Sequence, residues 1–438
     1  MQTEPKENRL RSLLIIGLTL SFVSSPTTGW AQDTAELMDD DGLPRLVVGP
    51  TRRTRDRLAV PNTACSATTA VCQQVTSQLR HNFTLSTYFE VLNAKTFVAD
   101  MKKESFNNTQ WPDWFNVGAR YLVKGSLSGK GPFALQLRLY DVIDKKTIPV
   151  KGQSHPRVKK RGLHRAVNRF INGVIRVVSG ADGIFGSRLV YAMRTGERTA
   201  AIGVVGMDGF GEYTARGGEA FHMFPHFSPK GILYTSFQSG KPDLWVGTEQ
   251  LTHDEFHYRG ADMSGSGQIA ASLSKGDGSD IYVLDKDGVI VRQITDDPAQ
   301  DISPEWSPGS GQIAFVSDRA GGPQIYVVSA GGGGARRITM AGGYNTNPDW
   351  GPNNKIAFTG YTSTGADVFT VDMSGVMVRV TQDQGSNINP TWSRDGRYIA
   401  FISSREGGKK IWLASADGRW QFPISNSSRS YTYLKWSR

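Results

Sequence analysis

Four of the seven histidines, His222, His226, His253 and His257, fall close together in the chain and are the first candidates for metal chemistry. In "HDEFH" (253–257) two of them stand four apart, a spacing at which one helix face can hold zinc. Glu255 is not at the position beside the first histidine that a zinc protease uses, and the surroundings read as a loop. These histidines are therefore read as loop or partner-contact residues, and no metal or cofactor is expected. Glu305 and Asp349 each stand immediately before a tryptophan, while the same slot of a third such phrase holds Thr391. Carboxylates at matched positions suit acid–base work, a cation or a partner's lysine. "GSLSGKG" (125–131) resembles a phosphate loop but is one residue short before its Gly-Lys and lacks the following Ser or Thr. "DKDG" (285–288) is a turn without the spacing of a calcium loop. No Gly-x-Ser-x-Gly nucleophile elbow occurs. No catalytic residue is assigned.

The two cysteines, Cys65 and Cys72, are seven residues apart. Within one helix their Cα atoms would lie about 10 Å apart, beyond the reach of a bridge. A disulfide needs Cys65 in a turn ahead of the helix, with Ser66 or Thr68 as N-cap; the spacing alone leaves bridge and free thiols both open. At the N-terminus Lys6, Arg9 and Arg11 precede the apolar run "SLLIIGLTLSFV" (12–23), and Gly29 and Ala31 follow as small residues. This pattern predicts a signal peptide over 1–31, hence an exported chain. The net charge of +10 then points to anionic headgroups, cell-wall polymer or an acidic protein face rather than nucleic acid. Much of the excess lies in 151–170, where a solvated basic surface is the competing reading.

The elements that must position these residues follow two grammars. Up to residue 180 strands and helices mix. "TAVCQQVTSQLR" (69–80) puts Val71, Val75 and Leu79 on one helical face. "RYLVKGSLSG" and "FALQLRLYDVI" predict a hairpin. Residues 161–180 predict an amphipathic helix with Leu163, Val167, Phe170, Ile171, Val174, Ile175 and Val178 inward, stopped by Gly180. A small α/β domain over 32–180 is expected. From 186 to 438 only strands and turns appear. Phe227, Met263, Trp306, Trp350, Trp392 and Trp436 recur every 36 to 44 residues, the period of a propeller blade. Each unit orders its phrases alike: an x-Pro-x-Trp strand, a turn such as "SPGSG", an apolar strand such as "QIAFVS", a Gly-rich turn, and two further strands. Pro225, Pro304, Pro348 and Pro390 fit an unpaired inner edge. The last opening strand, "SYTYLKW" (430–436), has no strands after it, so it should complete the first of six blades and close the ring. The loop entering each inner strand should open on one rim. Five positions before each anchor stand His222, Tyr258, Asp301, Asn345, Asn387 and Tyr431, polar or aromatic residues that suit an interface.

With "WFNVGARYLVKGSLSG", "LRLYDV" and "GIFGSRLVYAMRTG" added to the repeated "PxWSPxG…IAF…IYV…RxIT" phrases, nearly all of the predicted mature chain resembles the TolB family. A weak unit, "ADMSGSGQIAAS", and "GPNN" in place of the usual turn depart from the pattern and leave the detail of those blades open. The resemblance implies a periplasmic, non-catalytic component of the Tol-Pal system. Its partners would be the peptidoglycan-associated lipoprotein Pal, TolA and further envelope proteins. Its roles would be outer-membrane integrity and constriction at division, held peripherally at the outer membrane through Pal. Pal would meet the rim named above; His257, six before Met263, matches a family position associated with Pal binding. TolA would take the segment 32–56, including Leu46, Val47 and Val48 beside the run Asp39, Asp40 and Asp41, with Pal binding coupled to whether that segment is free or folded back. A propeller peptidase or glycosidase and a ligand-sensing propeller are the alternatives; the enzyme would need acidic residues clustered on successive inner strands.

Overall fold

The computed structural model describes residues 55–437 except 101–102, 275, 277 and 426–428. The apolar leader and Leu46, Val47 and Val48 lie outside the described residues. No helix among the described residues is long and apolar enough to cross a membrane.

The α/β part runs β1 (Asp56–Ala59), β2 (Ala64–Ser66), α1 (Thr69–Leu85), β3 (Phe89–Val91), α2 (Trp111–Asn116), β4 (Tyr121–Ser128), β5 (Phe133–Asp141), β6 (Lys146–Ile148), β7 (Ser154–Val158) and α3 (Lys160–Ser179). The strands form one sheet in the order β3-β1-β4-β5-β6, with β2 also on β4 and β7 on β5. The predicted hairpin is the antiparallel pair β4–β5. Val71, Val75, Leu79 and Phe83 recur every four residues and are all buried, which is why this stretch stays helical. α3 ends where Gly180 takes φ +74° and donates its N–H to the Arg176 carbonyl. Cys65 and Cys72 are bridged, with Cα atoms 5.9 Å apart. Cys65 sits in β2, a short strand rather than a turn, and Thr68 is the N-cap by backbone alone, without a side-chain capping bond.

The remaining strands form six four-stranded sheets around a central channel. Their inner strands are His222–Ser228, His257–Met263, Asp301–Trp306, Asn345–Trp350, Asn387–Trp392 and Tyr431–Trp436. The last of these pairs antiparallel with Arg188–Arg194, so the C-terminal strand is innermost in the first blade and closes a six-bladed ring. Trp306 packs between Ile281 and Val283 of its predecessor blade and Ile313 and Phe315 of its own, and Trp350 repeats this one blade on. Burying such a side chain between sheets stabilises by roughly 1.5–3 kcal/mol. The weak unit forms an ordinary blade with Met263 as its buried anchor.

The α/β part rests on the face where inner strands end. Tyr398, just after the turn that follows Trp392, donates its hydroxyl to the Ser86 carbonyl, and Arg397 reaches Tyr88 and the Asp182 carbonyl. A single hydrophobic core runs from α1 and α3 through Leu189, Met207 and Tyr398 to Trp436. The rim where inner strands begin is the opposite face.

Candidate partner-binding face

The six residues five before each anchor do stand together at the start of the inner strands, and all six are buried: His222, Tyr258, Asp301, Asn345, Asn387 and Tyr431 are at most 1% exposed. Their polar atoms turn inward. His222 Nδ1 lies 3.0 Å from Ser236 Oγ, and burial pushes its pKa below the usual range, with Arg216 adding to the effect. The Tyr258 hydroxyl donates to Asp254; burial first, then that carboxylate, raises its pKa. Asn345 Nδ2 donates to Gln324 Oε1 at 2.8 Å, and Tyr431 donates to Glu212 at 3.3 Å.

Two of the six hold an arginine at the rim. Arg319 donates to Asp301 Oδ2 at 2.7 Å and lies over Phe315 and Tyr326. Arg405 donates to Asn387 Oδ1 at 2.9 Å and stacks 4.3 Å from the Trp412 ring. Burial lowers the Arg405 pKa to about 10, against the opposing pull of Asp367 and Glu406, so it remains a cation. His257 is the predicted rim residue that is exposed. Exposed aromatic side chains share the rim with it: Phe237 beside Phe221 in the preceding blade, and Tyr361 against Tyr344, ring centroids 4.9 Å apart, two blades on. What the rim can offer a partner is therefore aromatic area, fixed guanidinium forks and one imidazole, the residue types that dominate protein interfaces.

Inside the channel, the position before each anchor builds a second ring: His226, Asp262, Glu305, Asp349, Thr391 and Lys435. His226 Nε2 and Asp262 Oδ1 are 2.7 Å apart. Asp262 accepts the Trp306 N–H, Asp349 the Trp392 N–H, and Thr391 the Trp436 N–H, each from the next blade round. The Lys435 ammonium bonds to Glu305 and lies 2.9 Å from Asp349. Burial alone would depress its pKa, but Asp349, Glu305 and Asp262 outweigh burial and raise it. The carboxylates of the two matched Pro-x-Trp phrases are thus joined by a lysine of the closing strand. His226, Asp262 and Glu305 bring ligand-type atoms within 4.8 Å of one another. His222, His253 and His257 do not join them. Reading the column of pre-anchor residues down all six units, rather than three, would have found Asp262 and Lys435.

A six-bladed propeller latched by its C-terminal strand, with an α/β part on one face and a polar and aromatic rim on the other, defines a class of two-part propeller proteins. Family models place the chain further: the TolB amino-terminal domain matches residues 44–148 and the TolB beta propeller domain matches residues 176–438. The chain belongs to the TolB family. It is 35% identical over 245 residues to the Tol-Pal system protein TolB of Anaeromyxobacter sp. (strain K), covering 53% of this chain and 55% of that relative. To the protein of the same name from Anaeromyxobacter dehalogenans it is 35% identical over 249 residues, covering 54% and 56%. The chain thus spans about half the length of the curated relatives it matches. The crystal structure of TolB from Acinetobacter baumannii superimposes with a TM-score of 0.73 at 22% identity, covering 87% of this chain and 96% of that one, and shares its fold.

Proposed function

We propose that the chain is a periplasmic binding protein of the Tol-Pal system that performs no chemistry itself. Pal docks on the rim where inner strands begin, and TolA takes the N-terminal segment 32–56. The observation that carries the rim assignment is its composition: exposed His257, Phe237 and Tyr361 with Arg319 and Arg405 held in place, on the face away from the α/β part. The buried Asp301 and Asn387 act through the arginines they hold. The channel supports the non-catalytic reading: Lys435 and backbone N–H groups engage its carboxylates.

Calorimetric titration with the Pal protein of the same organism tests this. His257→Ala combined with Asn387→Ala should weaken binding by roughly tenfold or more, since interface energy concentrates in few residues. Wild-type affinity in that variant would remove this rim from the assignment. Deletion of residues 32–54 should abolish TolA capture and leave the Pal site in place.

A further inference from the structure

Between Asp144 and Asp182 the chain carries ten Lys and Arg residues and no Asp or Glu. The rim and channel use none of them. The fold explains where they go. Arg161, Arg165 and Arg169 follow one another at four-residue spacing on α3, Arg176 continues the row, and all four are exposed. Like charges at this spacing repel by roughly 0.2–0.5 kcal/mol per pair. Nothing on the helix offsets that cost, because α3 contains no acidic residue.

The row faces a groove of about 680 Å³ between α3 and the edge of the first blade. Arg165, Arg169 and Arg176 line one wall, and Lys151 and Arg188 add charge, Arg188 from the propeller side. Among the described residues no carboxylate reaches ion-pair distance of Lys151, Arg165 or Arg169; Arg176 pairs with exposed Asp182. The other acid of the groove, Asp208, is buried and bonded to His164. Two apolar side chains also open into the groove, Phe210 and Val177, exposed by 47% and 48%.

We propose that this groove is a second docking site, separate from the rim, and that it takes an extended acidic segment of a partner protein. Guanidinium forks match carboxylates in a bidentate manner. Four helical residues rise about 6 Å, and alternate residues of an extended chain repeat at about 6.8 Å. Carboxylates at every second position of a strand therefore meet Arg165 and Arg169, the two groove arginines four residues apart. The intervening side chains face the propeller wall, which Arg188 lines and from which Phe210 reaches across to stack on His164 of α3, ring centroids 3.8 Å apart. Concave shape and apolar spots favour a peptide over a bilayer surface, and over a bare phosphate chain with nothing apolar to bury.

The test uses the full chain and a fluorescein-labelled eight-residue peptide in which Glu alternates with Leu and Ser, read by fluorescence anisotropy. Saturable binding is expected. It should weaken by roughly tenfold or more in Arg165→Glu/Arg169→Glu and, independently, in Arg188→Glu on the other wall. Arg165→Lys/Arg169→Lys should lose less, since charge remains but the fork is gone. Raising salt from about 0.05 to about 0.5 M should weaken binding strongly. The rim variant His257→Ala should bind the peptide unchanged. No binding by the parent chain, or parent-like affinity in both charge-reversed variants, overturns the proposal. So does tighter binding of phosphatidylglycerol vesicles or inorganic polyphosphate than of the peptide, which would assign the groove to phosphate chemistry.

Discussion

Asp208 ties the two parts of the molecule together through single atoms. Its Oδ2 accepts from His164 Nε2 at 2.7 Å, Asn82 Nδ2 at 2.8 Å and Asn168 Nδ2 at 3.3 Å, so both α1 and α3 bond to a turn of the first blade. Burial by itself would raise the carboxyl pKa; the His164 bond and charge, then the two asparagines, overcome it and hold the group at about 2. The folded pKa lies below the unfolded value of about 3.9, so the stabilisation is complete above about pH 4 and is lost as pH falls through about 2. Asp208→Asn should cost roughly 1.5–3 kcal/mol in urea denaturation at pH 7, and its deficit should shrink over that acid window. A constant deficit from pH 7 to pH 2.5 would show that the charge of Asp208 is not what matters. Nothing in the sequence marked this residue, because its partners are 40 to 126 positions away and follow no repeat. The rim shows the complementary failure. Period and turn order placed His222, Tyr258, Asp301, Asn345, Asn387 and Tyr431 at the strand starts, where they are. Whether a side chain there faces solvent depends on what packs over it, and all six are covered. His257, one residue earlier, escapes the cover.

At the level of elements, the inner strands share a device that the prolines only hinted at. Five break their ladder between the fourth and first residues before the anchor, and His257–Met263 breaks it between the fifth and second. The third residue before the anchor has positive φ in every blade: Phe224 +50°, Gly260 +108°, Ser303 +55°, Asn347 +52°, Asn389 +53° and Tyr433 +51°. The bulge turns the backbone so that the next-but-one side chain enters the channel. Proline followed at the inner edge for the expected reason, absence of a ladder donor; the left-handed residue ahead of it has no single sequence signature, since Phe, Ser, Asn and Tyr all occur. Only the weak unit uses glycine, and there it is required, because a Cβ on Gly260 would sit 3.3 Å from the Phe224 ring at a φ that side chains rarely adopt. Gly260→Val should therefore cost roughly 1–3 kcal/mol. Asn389→Gly, at a φ that both residues accept, should stay within about 0.5 kcal/mol of the parent. Urea midpoints of the two variants check the contrast, and similar losses in both would mean that the bulge conformation is not what limits these positions. The blades themselves were legible throughout, because alternating strands, glycine turns and one buried anchor per unit are local features repeated six times.

For the whole molecule the decisive contact is the one between chain segments far apart. The strand Tyr431–Trp436 pairs with Arg188–Arg194, and the Ser437 hydroxyl accepts the Arg188 N–H across 249 residues. Closing so long a loop costs entropy that neither neighbour blade can offset alone. The closing strand also brings Lys435, whose ammonium joins Glu305 and Asp349 across the channel. Strand pairing and ion pairing thus act on the same six residues, and each can be removed separately. Lys435→Ala in the full chain leaves two buried carboxylates without that cation and should cost about 3–5 kcal/mol, as breaking one side of a buried pair does. A chain ending at Arg429 loses both contributions and should unfold at lower temperature in a broader transition. A synthetic peptide of residues 430–438 added in excess should restore the sharp transition by binding the folded ring. The same peptide with Lys435→Ala should restore much less, because it supplies the ladder but not the charge. Unaltered melting of the shortened chain, or equal rescue by both peptides, would show that the ring holds without its latch.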